Sequence, residues 1–208
     1  TGWMTLVKVK ICGLKRHEDI TYVNQLKPEY IGFVFTRSTR QVSPDLAREL
    51  GKNLDKNIKK VGVFLNQPLE VVKKIERECG LDVLQFHGDE SPSYCNSFDK
   101  EVWKSFPIKN QESLELLKEY EVDKYLLDTW VEGERGGTGK KFNWALLGNL
   151  NKNKAIVLAG GLKPENIREA IQKARPMVVD VSSGVEINGC KDYGQIKKFI
   201  DEVRREFI

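Results

Sequence analysis

Histidine and cysteine are scarce in this chain: two of the first and four of the second among 208 residues. The cysteines, Cys12, Cys79, Cys95 and Cys190, form no CxxC pair, and only His17 and His87 could join them. That spacing offers no zinc ligand set, so no metal is expected. No uninterrupted apolar run approaches the ~20 residues of a membrane helix. The N-terminus also lacks the apolar stretch of a secretion signal, because Lys8, Lys10, Lys15 and Arg16 interrupt it. A cytoplasmic protein with reduced thiols and no membrane partner is therefore expected. A block of one charge sign is missing too. Lys and Arg total 34 against 30 Asp and Glu, a net +4 with the signs interspersed, so no nucleic-acid partner is expected. Linkers and low-complexity segments are absent, which predicts one domain over residues 1–208. Thr1-Gly2-Trp3 precede Met4 and are expected to lie outside the natural chain.

What is present is an alternation. Short runs rich in Val, Ile, Leu and Phe recur at Leu6–Cys12, Tyr30–Phe35, Lys60–Asn66, Val83–His87, Val102–Phe106, Lys124–Asp128, Ala155–Ala159 and Met177–Ser182. Continuous apolar runs of this length suit parallel strands buried on both faces. Amphipathic stretches separate them. Leu69, Val72, Ile75 and Cys79 share one helical face, as do Ile196, Phe199, Ile200, Val203 and Phe207. Ser43-Pro44 and Ser91-Pro92 read as an N-cap followed by Pro in the first turn. Pro164-Glu165 read as the start of the seventh helix, and Gly80 as a C-terminal stop. Eight strands, each followed by a helix, predict an α/β fold: a (β/α)8 TIM barrel. An open doubly wound sheet fits less well. Its first turn would carry G-x-G-x-x-G, whereas this one reads Ile11-Cys12-Gly13-Leu14-Lys15-Arg16.

A barrel gathers function at the C-terminal ends of its strands. Gly160-Gly161 ends the seventh run and Ser182-Ser183-Gly184 the eighth. Those two loops are a frequent phosphate site, since glycine bares backbone N–H groups and serine adds a hydroxyl donor. A small-molecule phosphorylated substrate follows. Cys12 ends the first run and Asp128 the sixth, on roughly opposing parts of an eight-strand ring. Each alone also suits a plain structural residue, a small buried thiol or a bracing carboxylate. Together across a cavity they form an acid–base pair. His87 ends the fourth run and is read as a polar residue lining the pocket. Arg40, in the loop after the second run, is a natural partner for a substrate carboxylate. Gly136-Gly137-Thr138-Gly139 reads as a mobile loop over the site. Cys79 is read as core, and Cys95 and Cys190, on a presumed outer helix and a loop, are given no role. Lys10 alternates with Cys12 and shares its face. A monomer is expected ahead of a homodimer.

Several segments now stand in order: Val9-Lys10-Ile11-Cys12-Gly13, Gly32-Phe33-Val34-Phe35 with Ser38-Thr39-Arg40, Val61-Gly62-Val63-Phe64, and Leu84-Gln85-Phe86-His87-Gly88. They continue with Leu127-Asp128, Gly136-Gly137-Thr138-Gly139, Leu158-Ala159-Gly160-Gly161-Leu162 with Asn166, and Asp180-Val181-Ser182-Ser183-Gly184-Val185-Glu186. In this order and spacing the chain resembles the phosphoribosylanthranilate isomerase family of tryptophan biosynthesis. The resemblance implies an Amadori rearrangement of N-(5-phosphoribosyl)anthranilate, with Cys12 as general base and Asp128 as general acid. It also implies Arg40 on the anthranilate carboxylate, the two Gly/Ser loops on the phosphate, and no cofactor. Two other readings keep the barrel. One puts a flavin phosphate or a different sugar phosphate on the same loops, and the other makes the barrel a scaffold without activity.

Overall fold

The computed structural model describes residues 6–129, 142–148, 150 and 153–205. Eight strands are its centre: β1 (Lys8–Cys12), β2 (Tyr30–Val34), β3 (Lys59–Phe64), β4 (Val83–Phe86), β5 (Glu101–Pro107), β6 (Lys124–Asp128), β7 (Ile156–Ala159) and β8 (Val178–Val181). Each pairs in parallel with the next, and β8 pairs back onto β1, which closes the ring. All eight apolar runs became strands, with ends within two residues of the expected ones. This is the predicted (β/α)8 barrel.

Side chains alternate across each strand, so the runs feed two cores. Inward-pointing Tyr30, Val61, Val83, Trp103, Leu126, Val157 and Val178 pack the lower barrel into a solid plug. Outward-pointing Ile11, Phe33, Phe64, Phe86 and Phe106 pack under the surrounding helices. The plug fills the lower barrel, below the C-terminal strand ends where a barrel carries its chemistry.

The helices are α1 (His17–Leu26), α2 (Pro44–Lys52), α3 (Leu69–Cys79), α4 (Pro92–Cys95), α5 (Ile167–Ala174) and α6 (Tyr193–Arg204). Ser43 and Ser91 cap α2 and α4, their hydroxyls accepting from Leu46 N and Tyr94 N. Gly80 ends α3 in the left-handed region, at φ 59°. The α6 stripe of Ile196, Phe199, Ile200 and Val203 is buried, while Phe207 lies outside the described residues. No helix among the described residues is long and apolar enough to cross a membrane.

Three expectations need correction. The seventh helical unit begins at Ile167, not Pro164, and residues 164–166 form a turn. The Asn166 side chain explains this: its Oδ1 accepts from Lys163 N and its Nδ2 donates to Gly161 O. Such local bonds compete with the first helical turn. After β5 and β6 the chain winds as 3-10 helices, Gln111–Glu119 and Trp144–Leu147, rather than α-helices. Their buried residues recur every third position, Leu114, Leu117 and Tyr120, then Trp144 and Leu147. Three residues per turn is the 3-10 repeat. Finally, Cys190 is not in a loop. It sits in β10 (Cys190–Lys191), paired antiparallel with β9 (Glu186–Ile187). Asn188 and Gly189 between them take φ 53° and 76°, the positive values a two-residue hairpin turn requires.

Candidate active site

Above the apolar plug lies a cavity of about 380 Å³. Cys12, Arg40, His87 and Asp128 line it, with Gly160, Gly161, Ser182 and Ser183. Gly184 lines an adjoining cavity of about 470 Å³, which shares Gly160, Gly161 and Ser183 with the first. Every strand-end residue singled out from the chain thus meets in one place. The Gly136–Gly139 loop lies outside the described residues.

The floor of the cavity is polar, and the sheet register builds it. Lys10 lies directly opposite Asp180 in the β1–β8 pairing. Its ammonium, fully buried, donates to Asp180 Oδ2 at 2.9 Å and to Gln85 Oε1 at 2.8 Å. Gln85 Nε2 lies 3.2 Å from His87 Nδ1, and His87 Nε2 faces Asp128 Oδ2 at 3.7 Å. Burial works against the Lys10 charge, but Asp180 and Cys12 outweigh it and hold the ammonium above its ordinary value. Burial also pushes the Cys12 thiol up, and Lys10 and Lys191 offset it only in part. The thiol therefore ionises later than a solvated one, beside two cations that favour the thiolate.

The rim combines glycine turns with a cluster of charged side chains. Gly160 and Gly161 take φ 92° and 64°, a left-handed path that turns the chain sharply at the end of β7. The Ser182 hydroxyl donates to Cys12 O at 3.1 Å, tying the loop after β8 to the end of β1. The buried Lys191 ammonium donates to Ser182 O at 3.1 Å and to Glu186 Oε1 at 2.5 Å. Arg40 reaches the same carboxylate with both arms of its fork, Nε to Oε1 at 2.7 Å and Nη2 to Oε2 at 2.8 Å. Burial raises the Glu186 carboxyl, yet the bonds from Arg40 and Lys191 prevail and bring it down to about 2. Lys191 itself is held below its ordinary value, because burial outweighs its pairing.

Four polar residues here escaped the reading of the chain: Gln85, Asp180, Glu186 and Lys191. For Gln85 and Asp180 a signal was available. Gln85 and His87, and Asp180 and Ser182, are two apart and so share the inward face, as Lys10 and Cys12 do. Lys191 carried none, since it arrives from the hairpin beyond β8. Lys104 in β5 points outward and donates to Gly88 O at 2.7 Å. Cys79 and Cys95 are buried in the helix layer.

Known proteins agree with this architecture along nearly the whole chain. Residues 9–202 match the family model described as N-(5'phosphoribosyl)anthranilate (PRA) isomerase. A protein named N-(5'-phosphoribosyl)anthranilate isomerase from Thermoanaerobacter sp. (strain X514) is 52% identical over 200 residues, 96% of this chain and 98% of its own. The crystal structure of phosphoribosyl anthranilate isomerase from Thermotoga maritima has a TM-score of 0.86 at 37% identity, covering 95% of this chain and 98% of that one. A second, in complex with reduced 1-(o-carboxyphenylamino)-1-deoxyribulose 5-phosphate, scores 0.84 at 34% identity over the same shares.

Proposed function

Since this chain belongs to the N-(5'-phosphoribosyl)anthranilate isomerase family and is an isomerase of tryptophan biosynthesis, we propose that Cys12 and Asp128 perform its chemistry. In this reading Asp128 protonates the furanose ring oxygen of N-(5-phosphoribosyl)anthranilate. The ring opens to a Schiff base and Asp128 is left as a carboxylate. Cys12, as thiolate, then takes the proton from C2 of the sugar. The enolamine that results tautomerises to the 1-amino-2-ketose, so an aldose becomes a ketose with no net redox change.

The observation that carries this is a thiol and a carboxyl lining one cavity, which Arg40 and the Gly160-Gly161 and Ser182-Ser183 loops also line. Gly160, Gly161, Ser182, Ser183 and Gly184 would hold the phosphate. Arg40 would hold the anthranilate carboxylate, with Glu186 fixing the plane of its guanidinium through two bonds and the fork's other donors serving the substrate. Lys10 would favour the Cys12 thiolate, and His87 would line the pocket beside Asp128. A relative binds a phosphorylated carboxyphenylamino sugar, which supports a phosphorylated substrate here. We place the enzyme in the cytoplasm, as one barrel domain.

The test follows the loss of phosphoribosylanthranilate fluorescence on adding the purified protein. Cys12→Ala and Asp128→Asn should each lower kcat by about 10²–10⁴-fold, the usual contribution of a positioned acid or base. Near wild-type turnover in both folded variants would remove the mechanism.

A further inference from the structure

We propose that Gln85 is a positioning residue: clamped by Lys10, it keeps the His87 ring proton on Nε2 and aims it at Asp128. The inference rests on Asp128 as the general acid, the reading given above.

The argument is one of donors and acceptors. A lysine ammonium only donates. Lys10 Nζ lies 2.8 Å from Gln85 at full burial, so the amide must turn its oxygen toward Lys10. The opposite flip would set two donors face to face away from water and leave both unsatisfied. The Gln85 NH2 then points the other way, at His87 Nδ1, 3.2 Å distant. That group only donates, so Nδ1 must accept with its lone pair and carries no proton. The ring's proton lies on Nε2, 3.7 Å from Asp128 Oδ2. Nor can Lys10 turn aside, because Asp180 Oδ2 holds it at 2.9 Å from the strand alongside. The orientation is thus handed from a buried ion pair, through an amide, to the imidazole.

The direction of that proton bears on the reaction. Once Asp128 has protonated the ring oxygen it is a carboxylate. An N–H aimed at it stabilises that state more than the neutral acid before it, which is the requirement for lowering a barrier. The separation need shorten by less than about 1 Å to make a hydrogen bond, and such contacts commonly tighten when substrate binds. The other tautomer would turn a lone pair toward the new charge.

Nitrogen NMR reads the tautomer directly. The chain has two histidines, and His17 is exposed, so a His17→Gln protein carries a single imidazole. In 15N-labelled protein at about pH 8, Nε2 should be protonated and Nδ1 not. A proton on Nδ1 would overturn the proposal at once. Gln85→Glu keeps an acceptor for Lys10 but offers His87 an acceptor too. It should move the ring proton to Nδ1 and lower kcat about tenfold or more, with KM within about twofold. Gln85→Glu with the tautomer unmoved, or moved at wild-type kcat, would equally overturn it. Should Gln85→Glu not fold, His87→Gln and His87→Asn decide. Glutamine can bring an N–H near the Nε2 position and asparagine near Nδ1. His87→Gln should retain the higher kcat, and the reverse order would refute the assignment. The NMR result does not depend on whether Cys12 and Asp128 do the chemistry, so the two readings fail separately.

Discussion

A thiol that acts as a base must ionise, and Cys12 sits where ionisation is opposed by burial and assisted by two lysines. Burial is the larger effect, so the thiol lies above its ordinary value. Alkylation by iodoacetamide follows the thiolate fraction. The rate at Cys12, followed by peptide mass mapping, should therefore climb with pH and reach half-maximum above the ~8.5 of a solvated cysteine. A midpoint at or below that value would show that Lys10 and Lys191 outweigh burial. At this scale much was legible beforehand. Cys12, Asp128 and His87 could be marked because a strand end in a barrel is a place with a meaning. Arg40 could be marked as an anion partner, but not its pairing with Glu186. That pair joins residues 146 positions apart, and no local pattern reports such a distance.

At the scale of elements, the loops after β7 and β8 are packed against each other with no room to spare. An added Cβ on Gly184 would lie 1.9 Å from the Leu162 carbonyl oxygen. The obstacle is backbone, so the loop itself must move. Gly184→Ala should therefore raise KM for the phosphorylated substrate about tenfold or more, as displaced anion donors weaken binding, while kcat falls less. Steady-state kinetics would check this, and an unchanged KM would take the loop out of phosphate binding. The elements also show where a linear reading falls short. Strands were legible because burial on both faces leaves unbroken apolar runs. The 3-10 helices were not, since Leu114, Leu117 and Tyr120 fit a three-residue repeat that also lies within the scatter of an α-helical stripe. The late start of α5 depends on how Asn166 spends its side-chain bonds, and composition does not carry that choice. The β9–β10 hairpin had its signal in Asn188-Gly189, which went unread because the flanking strands are two residues each.

For the whole molecule, one cluster joins the loop after β2 to the hairpin after β8. Glu186 joins Arg40 from the loop after β2 to Lys191 from β10, beside the loop after β8. Its carboxyl falls from 4.5 to about 2 on folding. A depressed carboxyl stabilises the fold at every pH above its unfolded value, and the gain is lost as pH falls through the folded one. The stabilisation from this cluster should then disappear between roughly pH 4.5 and 2. Both cations remain charged over that window, so their own shifts leave it in place. Urea unfolding across this range should show a smaller acid loss in Glu186→Gln than in the wild type, and parallel curves would refute the linkage. The chain by itself determined the ring of eight strands, because periodicity of burial is local, and it marked the strand ends where Cys12 and Asp128 lie. Only closure of the barrel decided which polar residues meet. Lys10, Gln85 and Asp180 stand on three strands, up to 170 positions apart, and an ion pair or hydrogen bond exists only where register and curvature bring its two atoms within reach.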